Sequence, residues 1–299
     1  SYRFVARQIK ASPRMKSSFA LAAAYTFILS ALKMPSVAGS SSHLTGTTLG
    51  TLTIGPMAMP LVGAIVLLFQ ALLLAHGGIS TLGANIFSLS IAGPFVAYAL
   101  FRLLTSARLP KSLVIFIATF CGSMATYIVT SFQLAVVYPD AVTGVMGAAW
   151  KFLGIFAITQ VPLSIIEGIL TVIVLRLLEK SQAKTATSVE VSSTKSSTES
   201  SLRPQFIWLS ILAVVCLALP ILAGLFDIGA GTDDQAGEMI GQLTPGFNPT
   251  PFLESFEPSE FAEPLLFALQ VAIGIALFAW GYYQLIYKRH QTKQKEREV

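Results

Sequence analysis

The sequence predicts an all-α, polytopic membrane protein: a helical bundle of about six spans, followed by a two-span helical hairpin. Three observations carry that expectation. The 299 residues are 54% hydrophobic and only 12% charged, with a mean hydropathy of +0.69, whereas a domain folded in water carries about 25% charged residues. The apolar runs are continuous over helix-spanning lengths and lack period-two alternation, which argues against a β-barrel. Lys and Arg cluster at the ends of apolar runs, and the acids cluster in one late loop. The formal charge of +5 therefore reads as membrane topology and not as nucleic-acid binding. Cys121 and Cys216 both lie in apolar runs, without a CxxC pattern or a disulfide framework.

The elements follow in order. Residues 1–16 are basic and place the start of the chain in the cytoplasm. Residues 17–35 are a first span, with Ala20 and Ala24 one turn apart as a small face for another helix. Residues 36–48 form a Gly/Ser/Thr-rich outer loop that carries His43. The run 48–76 is too long for one helix and contains Pro56 and Pro60. Keeping Arg102, Arg108 and Lys111 cytoplasmic requires this run to cross twice, or to re-enter, with its turn near those prolines. His76 then falls on the same side as His43.

Gly77-Gly78 makes a turn, and Asn85 either caps the next helix or offers its amide to a site. Residues 84–104 run inward and 112–134 run outward. Residues 141–180 are too long for one span, so a re-entrant or interfacial piece at 144–157 is expected before it, with a break at Thr159-Gln160-Val161-Pro162. Glu167 lies in the apolar run beyond that break. A lone intramembrane carboxylate is costly unless partnered; it is either bonded to a neighbouring helix or part of a subunit contact. Parity places it away from the outer mouth.

Residues 181–203 are a Ser/Thr-rich linker without aromatic residues. It separates a first unit, 1–180, from a second, 204–299. In the second unit two spans, 206–225 and 265–287, flank a loop, 226–264, with eight acids and no Lys or Arg. The tail is basic, so the C-terminus is expected in the cytoplasm, and His290 within it reads as solvated.

From the residues alone, the candidate centre is the stretch 39–94. It holds His43 and His76, contains no Asp, Glu, Lys or Arg, and is punctured by Gly55-Pro56, Pro60, Gly77-Gly78 and Gly93-Pro94. Imidazoles beside such breaks suggest a small polar site inside a membrane bundle. Imidazole nitrogen suits a late transition metal. His76 is either a ligand or a group that orients the site. Ser40, Ser41, Ser42, Thr45 and Thr47 read as loop hydrogen bonders. No HxxEH pattern, paired carboxylate or GxxxxGK[ST] loop occurs, so neither hydrolytic metal chemistry nor ATP hydrolysis by that motif is supported. An intramembrane enzyme or assembly factor would have to draw on His43, His76 and Glu167. A channel would need a ring of charges that is not evident.

Specific motifs go further. GSSSHLTGTTLG, GPMAMPLVGAIVLLFQALLLAHGGISTLGANIFSLSIAGPFVAY and ITQVPLSIIEGILT resemble the substrate-specific component of energy-coupling-factor metal transporters, the CbiM/NikM family, over roughly residues 17–180. GTDDQAGEMI, PTPFLESFEP and EPLLFALQVAIG resemble the two-span accessory protein CbiN. The resemblance implies a fused chain in a prokaryotic inner membrane that takes up Co2+ for cobalamin biosynthesis, with Ni2+ as the alternative. It implies no resident cofactor. The partners it implies are a transmembrane coupling component and ATPase subunits, with the Ala20–Ala24 face as a docking surface. By the same resemblance His43 is a metal ligand, and the acidic loop helps order the segment around it. The chain departs from the family at Phe252 and Glu257-Pro258, where cobalt systems carry a Trp and a Pro-Pro pair. It also starts at Ser1, where the family has a Met-His stretch and an extra helix that contribute metal ligands; the resemblance of residues 1–16 to the loop after that helix implies a fragment.

Overall fold

The computed structural model describes residues 1–30, 33–35, 41–73, 81–191, 232–243 and 262–283. His76, Cys216, His290 and the expected span 206–225 lie outside the described residues.

The chain opens with α1 (Tyr2–Ala11) and α2 (Pro13–Ser30), broken at Ser12, whose backbone is extended. Two short strands follow, β1 (Lys33–Pro35) and β2 (Ser41–His43). They pair antiparallel, with Lys33 opposite His43. Next come α3 (Thr47–Ile54) and α4 (Met59–Leu73). Between them Gly55 takes φ +89°, a conformation that favours glycine, and Pro56 follows it. The chain doubles back there. A Cβ on Gly50 would come within 2.6 Å of Met59 Sδ and 3.0 Å of Ala22 Cβ. Eight residues of helix rise only ~12 Å, against a hydrocarbon core of about 30 Å. The first limb of the run 48–76 is thus too short to cross, and the chain turns back at the prolines as expected. Ile54, Ala58, Met59 and Val62 close this turn in a cluster with Val5 of α1 and Ala22 of α2.

The next helix runs from α5 (Leu82–Asn85) through a π-helical stretch, Ile86–Ala92, into α6 (Gly93–Ser106). Asn85 makes no side-chain cap hydrogen bond to the π-helical stretch; its amide donates back to Thr81 Oγ1 at 3.3 Å. Gly63 of α4 lies against Ser90, and Gly93 and Gly122 bring α6 close to α7 (Lys111–Val137). Pro139 ends α7. Asp140 then accepts the backbone N–H of Val142 and Thr143, each at 2.8 Å, and pairs with Lys151.

α8 (Gly144–Val191) is one continuous helix of 48 residues. This corrects two expectations: no separate piece precedes the span, and Pro162 does not break it. A proline removes one N–H and crowds the preceding turn, but packing can hold an apolar helix straight through it. Here Gly168 lets α8 approach Phe116 of α7, and the Thr159 hydroxyl donates to Phe156 O. The helix also runs through the first part of the expected linker.

Two helices of the second unit follow, α9 (Thr232–Leu243) and α10 (Ala262–Tyr282). Leu243, Met239 and Ile240 of α9 pack on Ala135, Ala148, Phe152 and Phe156, next to β2. α10 lies along α2, where a Cβ on Gly274 would meet the Ile28 side chain at 2.4 Å and Ala24 O at 3.4 Å. Ala24 is thus covered by the chain itself, which corrects its expected use as a docking face for another subunit. Among the described residues, three helices are long and apolar enough to cross a membrane: Leu82–Ser106, Lys111–Val137 and Gly144–Lys180. The architecture is that of an all-α membrane protein.

Candidate metal site at the His43 loop

The strand pair delivers His43 to the start of α3, and the loop from His43 to Thr47 then enters the bundle. Leu44, Thr45, Thr47 and Thr48 are all buried. Buried backbone needs partners, and one side chain supplies most of them. Glu167 of α8 is fully buried. Its Oε2 accepts Thr45 N–H at 2.8 Å, and its Oε1 accepts the Thr45 hydroxyl at 2.7 Å and Gly46 N–H at 2.9 Å. Ser123 of α7 donates to Oε2 at 3.3 Å. Four donors fill the acceptor sites of the two carboxyl oxygens.

Gly46 is required here. Its φ is +65°, and a Cβ would meet Thr26 Cα at 2.9 Å and Tyr25 O at 3.2 Å. Its carbonyl accepts the Thr26 hydroxyl at 3.0 Å. On the other side of the loop the Tyr127 hydroxyl donates to His43 O at 3.0 Å, and the Tyr127 ring lies on Phe156, centroids 5.8 Å apart. His43 is half-buried. Its Nδ1 lies 3.1 Å from Leu44 O. A carbonyl only accepts, so in this contact Nδ1 is the donor.

Glu167 belongs to a polar stripe on α8. Gln160, Ser164, Glu167 and Thr171 follow at spacings of four, three and four, so they share one face, and all are fully buried. Thr171 bonds Tyr25 at 3.2 Å. Among the described residues, neither side-chain polar atom of Gln160 has a hydrogen-bond partner, nor does Ser164 Oγ. Such an orphan typically costs about 1–3 kcal/mol.

One sequence expectation changes and another holds. Glu167 is not remote from His43; it holds the backbone of the same loop. Thr45 is a loop hydrogen bonder, as expected of it, through both backbone and hydroxyl. The residues that sequence reasoning passed over are Tyr127, Gln160 and Ser164. For Gln160 and Ser164 the signal was the four-three-four polar spacing in an otherwise apolar run; for Tyr127 there was none. Among the described residues, no group of three or more His, Cys, Asp or Glu could hold a metal ion. His43 is the imidazole placed by this loop.

The architecture defines a class: a polytopic membrane protein whose polar centre is a histidine loop drawn into the bundle by a buried carboxyl. The family described as the cobalt uptake substrate-specific transmembrane region, CbiM, matches residues 2–185, and that of the cobalt transport protein component CbiN matches residues 203–298. The chain is 55% identical over 176 residues to the cobalt transport protein CbiM of Anoxybacillus flavithermus, covering 59% of this chain and 70% of that protein. It is 56% identical over 171 residues to that of Acetoanaerobium sticklandii, covering 57% and 70%. A crystal structure of a truncated transition metal transporter is similar with a TM-score of 0.50 and 27% identity, over 59% of this chain and 86% of that one. The chain belongs to the CbiM family and carries a CbiN region in the same polypeptide.

Proposed function

We propose that this chain is the substrate-specific component of an energy-coupling-factor transporter, taking up Co2+ for cobalamin biosynthesis. The observation that carries this is the His43 loop, clamped on Glu167 inside a bundle of the CbiM family. His43 binds the cation through its imidazole. His76 contributes as a ligand or orients the site. Cobalt is favoured over nickel because the relatives cited are cobalt transport proteins.

The chain transports and does not catalyse. ATP hydrolysis belongs to separate ATPase subunits, joined through a transmembrane coupling component. The protein is multi-pass in a prokaryotic plasma membrane, with its C-terminus in the cytoplasm. It comprises a metal-binding unit, 1–180, a linker, 181–203, and an accessory unit, 204–299. The accessory unit orders the metal loop, a role supported by α9 packing beside β2.

The test is radiocobalt uptake by cells that produce the full-length chain with the coupling and ATPase subunits. Uptake should depend on those partners and resist excess Ni2+. Uptake that Ni2+ abolishes at equal concentration would replace cobalt by nickel as the cargo.

A further inference from the structure

The His43 loop is held at two points. Glu167 of α8 takes the backbone N–H groups of Thr45 and Gly46. The other hold falls on His43 itself, where the Tyr127 hydroxyl donates to the carbonyl oxygen at 3.0 Å. Both draw on α7. Ser123, one turn before Tyr127, donates to Glu167 Oε2 at 3.3 Å. The two holds differ in strength. The carboxyl gathers four donors, whereas the Tyr127 contact is one bond between neutral groups, the weaker kind.

They also differ in what stands behind them. Glu167 is fully buried and bonds only the loop and α7. The Tyr127 ring belongs to an apolar cluster that both units share. It meets Phe156 of α8, centroids 5.8 Å apart, and the same cluster buries Leu243 of α9, with Met239 and Ile240 packed against it. α9 also lies beside β2, the strand that ends at His43. The cluster itself requires only an aromatic ring, which phenylalanine would supply. The hydroxyl is the part that reaches the loop, and a tyrosine hydroxyl in apolar surroundings takes a defined partner.

The carbonyl and the imidazole of His43 branch from one Cα. Moving the carbonyl moves the ring with it. A metal ligand must stand within about 0.5 Å of its productive position, and groups outside the coordination sphere supply that precision. A bond to His43 O is placed to do so.

We propose that Tyr127 is a positioning residue that sets the His43 imidazole and conveys the seating of α9 to it. With α9 packed on the cluster, the Tyr127 ring is fixed and its hydroxyl holds His43 O. With α9 lifted, the ring gains freedom and His43 is released, while Glu167 still holds Thr45 and Gly46. The second unit thereby acts on the metal loop through packing and one hydrogen bond. The proposal rests on His43 as the metal ligand.

The test uses the full-length chain with its partner subunits. Tyr127→Phe removes the hydroxyl and keeps the ring. Leu243→Ala loosens α9 where it enters the cluster. Radiocobalt uptake kinetics are read in cells at matched protein levels, and thermal unfolding on the purified chain. A neutral hydrogen bond corresponds to about a two- to tenfold change in an equilibrium constant. Each single variant should therefore raise the KM for Co2+ about fivefold, with Vmax within about twofold of wild type. The unfolding midpoint of Tyr127→Phe should stay within about 2 °C. The double variant should show a KM no higher than the larger single effect, because both substitutions cut the same connection. An unchanged KM in either single variant would overturn the proposal. Effects that multiply in the double variant would show that α9 acts by another route and overturn it too. So would a Tyr127→Phe midpoint that falls in step with uptake, since the hydroxyl would then be structural. His43→Ala, run in parallel, separates the two claims. If it abolishes uptake while Tyr127→Phe behaves as wild type, only the positioning role is refuted. If His43→Ala takes up cobalt normally, both fall.

Discussion

Glu167 takes both donors of Thr45, the backbone N–H at 2.8 Å and the hydroxyl at 2.7 Å. These two residues are 122 positions apart in the chain. Their pairing determines how far the His43 loop dips into the bundle, because the adjacent Gly46 N–H bonds the same carboxyl. The polar stripe of α8 thus carries the anchor for a loop that would otherwise bury unsatisfied backbone.

Replacing Glu167 by Gln keeps the volume but puts an NH2 group against N–H and O–H donors. Hydrogen bonds to a charged group are worth about 1.5–3 kcal/mol each, and at least one must be lost. Glu167→Gln is expected to raise the KM for Co2+ at least tenfold at unchanged protein abundance, read by uptake kinetics and immunoblot. Wild-type kinetics would show that the loop holds its position without the carboxyl.

Gly46→Ala tests the same loop from its backbone. A left-handed φ at a non-glycine residue costs about 1–3 kcal/mol, and the new Cβ would overlap Thr26 Cα. The backbone of α2 cannot yield as a flexible side chain could. The purified variant is expected to unfold several degrees lower and to lose cobalt uptake. Thr26→Ala, which removes only the hydroxyl that bonds Gly46 O, should show a smaller loss.

Asp140 makes the turn between α7 and α8 sensitive to acid. Lys151 beside it, together with the Thr143 and Val142 N–H groups, holds its carboxyl well below the usual carboxylate range. A depressed pKa stabilises the fold above the unfolded-state value, near 4. That contribution is lost as pH falls below it towards the folded-state value. Thermal unfolding in detergent should therefore show the turn weakening below about pH 4. Asp140→Asn should flatten that acid limb and leave stability at neutral pH only slightly lower.

The second unit is tied to the first through Gly274. A larger residue there must displace Ile28. Overpacking of this kind typically costs about 1–3 kcal/mol. Gly274→Val should lower the unfolding midpoint of the full chain, and Ile28→Ala in the same chain should recover part of it. A lack of compensation would place α10 elsewhere.

The membrane class, the helical architecture and the turn at Gly55-Pro56 were legible in the sequence because composition and backbone-breaking residues act locally. The polar centre was legible only in part. His43 stood out as an imidazole among small residues in a charge-free stretch. Glu167 stood out as a carboxyl in an apolar run, but its partner could not be read, because counting spans assumes that every loop stays at a surface. The His43 loop instead descends into the bundle. Pro162 misled for a related reason: a local helix breaker gives way to packing along α7. Gln160 falls in that expected break, and with Ser164 it belongs to a buried polar face instead. Ala24 was recognised as a small contact surface, but the helix that covers it comes from the far end of the same chain.

The central claim is that His43 binds the transported cation. The most direct measurement is radiocobalt uptake by cells that produce the full-length chain with its partners, comparing wild type with His43→Ala at matched protein levels. The account predicts uptake reduced to the level of cells without the chain. Uptake by His43→Ala equal to wild type would contradict it.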